Sequence, residues 1–226
     1  MSNYKIVSIE GNIGSGKSTL LENLRQHYTD NTCIIFLREP VDDWEKIKDR
    51  QGNTILKKFY ADQEKYSFAF QMMAYISRLK ILRDTIKTII TEKTDKQYVI
   101  ITERSLYTDK YVFAKMLYSQ GKIEEVCYQI YLNWFDEFTK DFPINYYVYV
   151  NTEPTKCYER IHKRARDGET VIPLNYLKDC HNYHEEFLNE NTGINGKKIV
   201  LDGNVDIYEN KNIVSEWIEQ INSFIL

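Results

Sequence analysis

YKIVSIEGNIGSGKSTL, residues 4–20, is the stretch that decides how this chain folds. Residues 6–9 read as a buried strand, Glu10 closes it, and Gly11-Asn12-Ile13-Gly14-Ser15-Gly16-Lys17-Ser18 follows at once. That run is GxxxxGK[ST], and Leu20, Leu21 and Leu24 continue it with the spacing of an amphipathic helix. Glycines let the backbone curl until successive N–H groups point inward at phosphate oxygens. Lys17 brings a mobile positive charge, and the Ser18 hydroxyl is the expected Mg²⁺ ligand. A helix beginning near Lys17 aims its positive end at the same anion. A Gly-rich turn can join strand to helix and bind nothing, but strand, loop and helix together are the context this motif demands. The expectation is a P-loop, Gly11 to Thr19, that holds a nucleoside triphosphate.

A chain of 226 residues suits one large α/β domain with a substantial core. Hydrophobic residues at 42% and charged residues at 28% mark a globular composition, neither disordered nor membrane-embedded. The net charge of −3 supplies no general attraction for nucleic acid, which weighs against a helicase or repair ATPase. Cys33, Cys127, Cys157 and Cys180 are far apart without a CxxC pair, so they read as small core residues of a reducing compartment. The first strand begins at about Tyr4, which leaves no room for a leader, and no apolar run approaches the roughly 20 residues of a membrane span. A cytoplasmic location is therefore expected.

Residues 33–37 (CIIFL) read as a second strand that ends in Arg38-Glu39-Pro40. Ligands of open α/β sheets lie beyond the carboxyl ends of the strands, so Glu39 is a candidate for chemistry as well as for a solvated loop. Residues 41–60 form a short insertion anchored by Trp44 and Tyr60, and residues 63–92 contain neither Gly nor Pro. Their apolar positions Phe70, Met73, Ile76, Leu79, Leu82, Ile86 and Ile89 predict one long helix with a buried stripe, along which Phe70, Gln71, Ala74 and Arg78 share a side. Residues 98–102 form a third strand, again with a charged exit, Glu103-Arg104. Ser105 caps the next helix, which carries Asp109 and Phe113 on one face. Arg104 is placed to neutralise transferring oxygens and Glu103 to hold a metal or its waters. A helix over about 123–140, a strand over 146–150, a strand over 198–201 and a closing helix over 212–224 complete a single domain of five parallel strands with helices on both faces. Between the fourth and fifth strands a basic helix (Arg160, Arg164, Arg166) runs into Asp167-Gly168-Glu169. A charge run is usually a solvated face, but here the order is that of an Arg-rich lid over about 160–170.

A switch GTPase needs Asn-Lys-x-Asp, and the only Asn-Lys pair, Asn210-Lys211, continues as Asn212-Ile213. What remains is a compact kinase of small molecules, its acceptor pocket built by the insertion between the second and third strands. GNIGSGKST, Glu39-Pro40-Val41 with Trp44, Tyr60, SFAFQ (67–71), ISRLK (76–80), ERSLYTDKYVFA (103–114), RIHKRARDGE (160–169) and IPLNYL (172–177) occur in that order. As a set they resemble the deoxynucleoside kinases of the deoxycytidine, deoxyguanosine and insect multisubstrate type, over almost the whole chain.

That resemblance implies a P-loop kinase fold and transfer of the γ-phosphoryl group of ATP–Mg²⁺ to the 5′-OH of a deoxyribonucleoside in nucleotide salvage, by a homodimer. It implies Glu39 as the carboxylate that takes the 5′-OH proton, with Glu103 near the magnesium as its rival. Arg104 stands beside the 5′-oxygen, and Arg160, Arg164 and Arg166 stabilise charge on the phosphates. Tyr60 and Glu169 hold the 3′-OH, Val205, Asp206 and Ile207 cradle the donor's adenine, and Trp44, Phe70 and Phe113 wall the base, although Phe70 is also a candidate for plain core packing. Asn12 and Ile13 belong to the floor of the acceptor pocket. Gln71 offers a donor and an acceptor to a Watson–Crick edge, and Asp109, oriented by Arg78, accepts from an exocyclic amino group. Thymine would set a carbonyl against that carboxylate. Deoxyadenosine, deoxycytidine and deoxyguanosine are accordingly expected ahead of thymidine. A nucleoside monophosphate kinase and a nucleotide-binding regulator without catalysis are the other readings.

Overall fold

Alternation of short β-rich runs with helical stretches builds the sheet expected of it. In a computed structural model that describes residues 3–92, 95–165, 169–189, 196–207, 210 and 212–225, the strands are β1 (Tyr4–Glu10), β2 (Ile34–Leu37), β3 (Tyr98–Glu103), β4 (Tyr146–Asn151) and β5 (Lys197–Asp202). They lie in the order β2-β3-β1-β4-β5, every pairing parallel. The central strands β1 and β3 are apolar on both faces because helices cover both, the mark of a parallel sheet. The order reverses beside β1, so the crevice at its carboxyl end is where a ligand belongs.

One face is covered by α1 (Lys17–His27) and α10 (Ile213–Ile225), whose Leu20, Leu21, Leu24, Trp217 and Ile221 meet Val7, Ile9, Val148 and Val150. The other face carries α4 (Gln63–Thr91) and α7 (Glu125–Thr139). A third cluster joins the insertion helices α2 (Val41–Trp44) and α3 (Ile55–Ala61) to α6 (Lys115–Ser119), α8 (Pro154–Arg164) and α9 (Leu174–Asn189). Start signals act where chemistry places them: Asp62 accepts from Lys65 N at 3.2 Å to open α4, and Pro154 occupies the first turn of α8, where its missing N–H costs nothing. No helix among the described residues is long and apolar enough to cross a membrane.

Two expectations need correction. Ile76, assigned to the buried stripe of α4, is 49% exposed, while Phe70, Leu79, Leu82, Ile86 and Ile89 of that stripe are buried, as are Gln71, Ala74, Tyr75 and Arg78 beside them. The inward face of α4 lines a cavity through Phe70, Gln71, Ala74 and Arg78 and packs into the core through Tyr75, Leu79, Leu82, Ile86 and Ile89. The second concerns the stretch after Ser105. Its hydroxyl does accept from Thr108 N at 3.2 Å and opens the short α5 (Leu106–Thr108), but Asp109–Ala114 then winds as a π-helix rather than an α-helix. Such insertions gather at functional sites, where they re-aim side chains.

Leu24, fully buried between α1 and the sheet and remote from the cavity, calibrates the core. Leu24→Ala is expected to cost about 2–5 kcal/mol of unfolding free energy in denaturant titration, without changing ligand binding.

Candidate active site

Three strand exits meet at one edge of the sheet. At the exit of β1 the loop turns through Gly11, Gly14 and Gly16, all at positive φ. At Gly14 (φ 78°) an added Cβ would stand 2.6 Å from the Cys157 carbonyl oxygen, so only glycine lets α8 approach. Gly16 (φ 104°) precedes α1, and no side chain among the described residues caps that helix. Its first N–H groups are thus left to an anion. Lys17 is buried, with Nζ donating to the Asn12 carbonyl at 2.6 Å. Burial lowers its pKa to about 7; Arg104 pushes the same way, and Glu103 and Glu39 pull back. Ser18 Oγ donates to Glu103 Oε1 at 2.6 Å.

Glu39 leaves the exit of β2 and is clamped by two guanidiniums. Arg104 Nη1 donates to its two oxygens at 2.8 and 2.9 Å, and Arg78 Nη2 donates to Oε1 at 3.0 Å. Burial would raise the Glu39 pKa, but Arg104, Arg78 and Lys17 outweigh it and hold the carboxyl well below its ordinary range. Arg104 itself sits at φ 62°, left-handed geometry that a non-glycine residue adopts only under constraint. Its guanidinium lies 5.2 Å from the centre of the Phe113 ring. Arg78 reaches further: Nε donates to Asp109 Oδ2 at 2.9 Å and Nη1 to the Glu103 carbonyl at 2.8 Å. Burial raises the Asp109 pKa, with Arg78 opposing.

These groups face a cavity of about 430 Å³. Ile13, Gly14, Ser15, Gly16, Lys17, Ser18, Thr19, Glu39, Trp44, Tyr60, Phe70, Gln71, Arg78, Glu103, Arg104, Asp109, Phe113, Arg160, Arg164, Glu169, Val205, Asp206 and Ile207 all line it. Gly11 and Asn12 are not among the lining residues. Asn12 instead spends its side chain within the fold, Nδ2 donating to the Leu177 carbonyl at 2.8 Å and Oδ1 accepting from Ile13 N at 2.8 Å. Its expected place in the pocket floor passes to Ile13 alone. Arg166 lies outside the described residues.

Two arginines expected at the phosphates are already engaged. Arg160 Nη1 donates to the carbonyls of Gly203 at 2.9 Å and Ser15 at 3.2 Å, and Nη2 to that of Val205 at 3.3 Å, so it ties the P-loop to the segment after β5. Arg164 pairs with Glu169. Phe70 does both things that an aromatic can do there: it stacks on Phe59 at 4.6 Å and also lines the cavity. Gln71 Oε1 is buried without a hydrogen-bond partner, as a group kept for a ligand would be. Burial, with Glu169 adding, pushes the Tyr60 phenol up, so it remains a neutral donor. Phe59, Tyr176 and Lys163 line the cavity and went unassigned from sequence. Phe59 adjoins Tyr60 in sequence, and Tyr176, which stands edge-on to Tyr60 at 6.2 Å, lies within the IPLNYL stretch (172–177), which was the signal for it.

A P-loop at the first strand exit, a carboxylate and an arginine at its neighbours and a closed aromatic pocket beyond them define a P-loop phosphotransferase acting on a small molecule. Residues 7–226 match the deoxynucleoside kinase family. The chain is 34% identical, over its whole length and 90% of the relative's, to a probable deoxycytidine kinase of fowlpox virus. It is also 34% identical to deoxycytidine kinase 2 of Gallus gallus, across 97% of this chain and 89% of that one. Identity to the mitochondrial thymidine kinase 2 of Macaca fascicularis is 35%, covering 81% and 64%. The chain belongs to the deoxynucleoside kinase family and is a kinase that phosphorylates deoxynucleosides.

Arg78 bridges two buried carboxylates, and its side chain is only 8% exposed. Arg78→Met is expected to lower stability by about 3–5 kcal/mol, because it strands Asp109 and leaves Glu39 with Arg104 alone. Adding Asp109→Ala should recover part of that loss, and denaturant titration of the two single variants and the double variant measures the coupling.

Proposed function

We propose that this kinase transfers the γ-phosphoryl group of ATP to the 5′-OH of deoxyadenosine, deoxycytidine or deoxyguanosine in preference to thymidine. The observation that carries the preference is the buried Arg78–Asp109 pair, 2.9 Å apart, on the cavity wall that Gln71 also lines. Asp109 accepts from the exocyclic amino group of cytosine or adenine, and Gln71 pairs with the rest of the edge. A thymine carbonyl there faces an acceptor and leaves the carboxylate unsatisfied. Trp44, Phe70 and Phe113 wall the base, and Tyr60 with Glu169 holds the 3′-OH.

Glu39 is the base. Held ionised by its two arginines, it is a weak proton acceptor, which suffices where the transition state is loose and the proton leaves late. Glu103 instead takes the Ser18 hydroxyl at 2.6 Å, which supports a role on the donor side. A hydroxyl and a carboxylate are hard oxygen donors that fit Mg²⁺. Ser18 and Glu103 would hold that ion, which would supply neutralising charge for the donor's phosphates. Lys17 and the uncapped first turn of α1 hold the phosphates, Arg104 steadies the oxygen that attacks, and Arg160 and Arg164 face the donor's phosphates. Val205, Asp206 and Ile207 cradle its adenine. An acceptor that already carries a phosphate would press it against Glu39, while both nearby arginines are committed to carboxylates, so a monophosphate kinase is disfavoured.

The active form is a homodimer in the cytoplasm, acting in nucleotide salvage. Support for the dimer comes from α7, whose Val126, Ile130, Trp134 and Phe138 recur every four residues and are 59%, 41%, 48% and 49% exposed. Trp134→Glu is expected to give monomers in sedimentation velocity, and an unshifted dimer would reject this face.

Turnover of each deoxynucleoside with ATP–Mg²⁺, followed by chromatography, tests the main reading. Thymidine should trail deoxycytidine and deoxyadenosine in kcat/KM by about 10–100-fold, the worth of one buried unsatisfied acceptor. Thymidine equal to them would overturn the preference. Glu39→Gln should lower kcat by about 10²–10⁴-fold, with far less change in deoxynucleoside affinity. Full activity in that variant would transfer the base role to Glu103.

A further inference from the structure

Glu10 ends β1, directly before the P-loop, and it is fully buried. Three donors converge on it: Ser8 Oγ at 2.6 Å and Ser105 N at 3.0 Å on Oε1, and Thr108 Oγ1 at 2.5 Å on Oε2. All three are neutral. A carboxylate sealed among neutral groups loses its hydration without the return of an ion pair, so a neutral side chain of the same shape would be easier to bury. What a carboxylate does that glutamine cannot is accept at both ends while donating at neither. The residues it holds are informative. Ser105 follows Arg104, whose backbone is left-handed at φ 62°, and Thr108 precedes Asp109. On the other side of that turn, Arg104 N donates to the Ile9 carbonyl at 3.0 Å, one residue before Glu10. The end of β1 therefore grips the chain on both flanks of the strained residue.

We propose that Glu10 is a positioning residue of phosphoryl transfer, a buried clamp that holds the Ser105 N–H and the Thr108 hydroxyl and thereby fixes the turn from which Arg104 reaches Glu39. The proposal rests on the role given above to Arg104 and Glu39. It also ties the two halves of the site together: the strand end that starts the donor's loop sets the aim of the arginine on the acceptor's side. In Glu10→Gln the amide oxygen keeps Ser8 and Ser105, while the amide N–H₂ can only donate to the Thr108 hydroxyl, so the charge-assisted bond from Thr108 gives way to a weaker neutral one of reversed direction and the hydroxyl's proton must turn to Ser105 Oγ, 3.1 Å away. Glu10→Ala loses all three.

The test uses ATP and deoxycytidine with Glu10→Gln, Glu10→Ala, Thr108→Val, Arg104→Gln and the Glu10→Gln/Arg104→Gln pair. Melting temperature, affinity for each ligand by calorimetry, kcat and KM are read for each. Expected for Glu10→Gln and Thr108→Val is a melting temperature near that of the parent, near-parental affinity for ATP and deoxycytidine, and kcat lower by about tenfold or more. In the Arg104→Gln background, Glu10→Gln should cost little further kcat, since both changes remove one contribution. Parental kcat in folded Glu10→Gln and Thr108→Val overturns the proposal, as do kcat losses that simply multiply in the double variant. Glu10→Ala, where it folds, should lose more than Glu10→Gln, and a smaller loss counts against the clamp. Parental kcat in Arg104→Gln would overturn the role of Arg104 itself, and the clamp with it, a result distinct from the others.

Discussion

Two carboxylates and two guanidiniums, paired on the cavity wall at the end of the sheet, set the geometry of the side proposed for the acceptor. Glu39 comes from the exit of β2, Arg78 from α4, Arg104 from the exit of β3 and Asp109 from the start of the π-helical turn. None of the four could be buried alone, because an unpaired ion in a low-dielectric interior loses several kcal/mol of hydration. Together they are neutral, and each is placed by the others. Arg78 is the hinge of the set. It binds both acids and also the Glu103 carbonyl at 2.8 Å, so one guanidinium fixes α4 against two strand exits. The same contact explains why α4 turns Arg78 and Gln71 inward and leaves Ile76 in solvent.

The strands and the phosphate loop were legible because they rest on local pattern: short β-rich runs, a spaced glycine motif and helical periodicity. The elements appear within a few residues of their expected bounds, as with residues 63–92 against Gln63–Thr91. What the pattern missed is non-local. A π-helix over Asp109–Ala114 carries no periodic signature of its own, and the positive φ of Arg104 is imposed by neighbours rather than by composition. The engagement of Arg160 with three carbonyls and of Arg164 with Glu169 depends on which loops come close, which no spacing along α8 reveals. Resemblance brought most of the cavity-lining residues together. It did not foresee that Asn12 would serve the fold, or that Phe59 and Tyr176 would complete the wall.

The two ends of the cavity are prepared differently, and that difference has a physical reason. On the side proposed for the acceptor the charges are already paired, so a neutral nucleoside would enter without having to neutralise anything; the groups left open there, Gln71 Oε1 and Arg104 Nε, call for hydrogen bonds. On the donor side the fold leaves positive potential unspent. Among the described residues no side chain caps α1, and the buried Lys17 has only the Asn12 carbonyl at 2.6 Å and Ser15 Oγ at 3.5 Å for hydrogen-bond partners. A phosphate oxygen that replaces the Asn12 carbonyl returns a charged partner to a lysine whose protonated form burial has disfavoured, so Lys17 gains more from the nucleotide than an exposed lysine would. A site that keeps one end electrostatically closed and the other open takes a neutral acceptor and an anionic donor in their proper places. Reversing the two would set phosphates against Glu39 and a neutral sugar against unsatisfied N–H groups, and both exchanges are unfavourable.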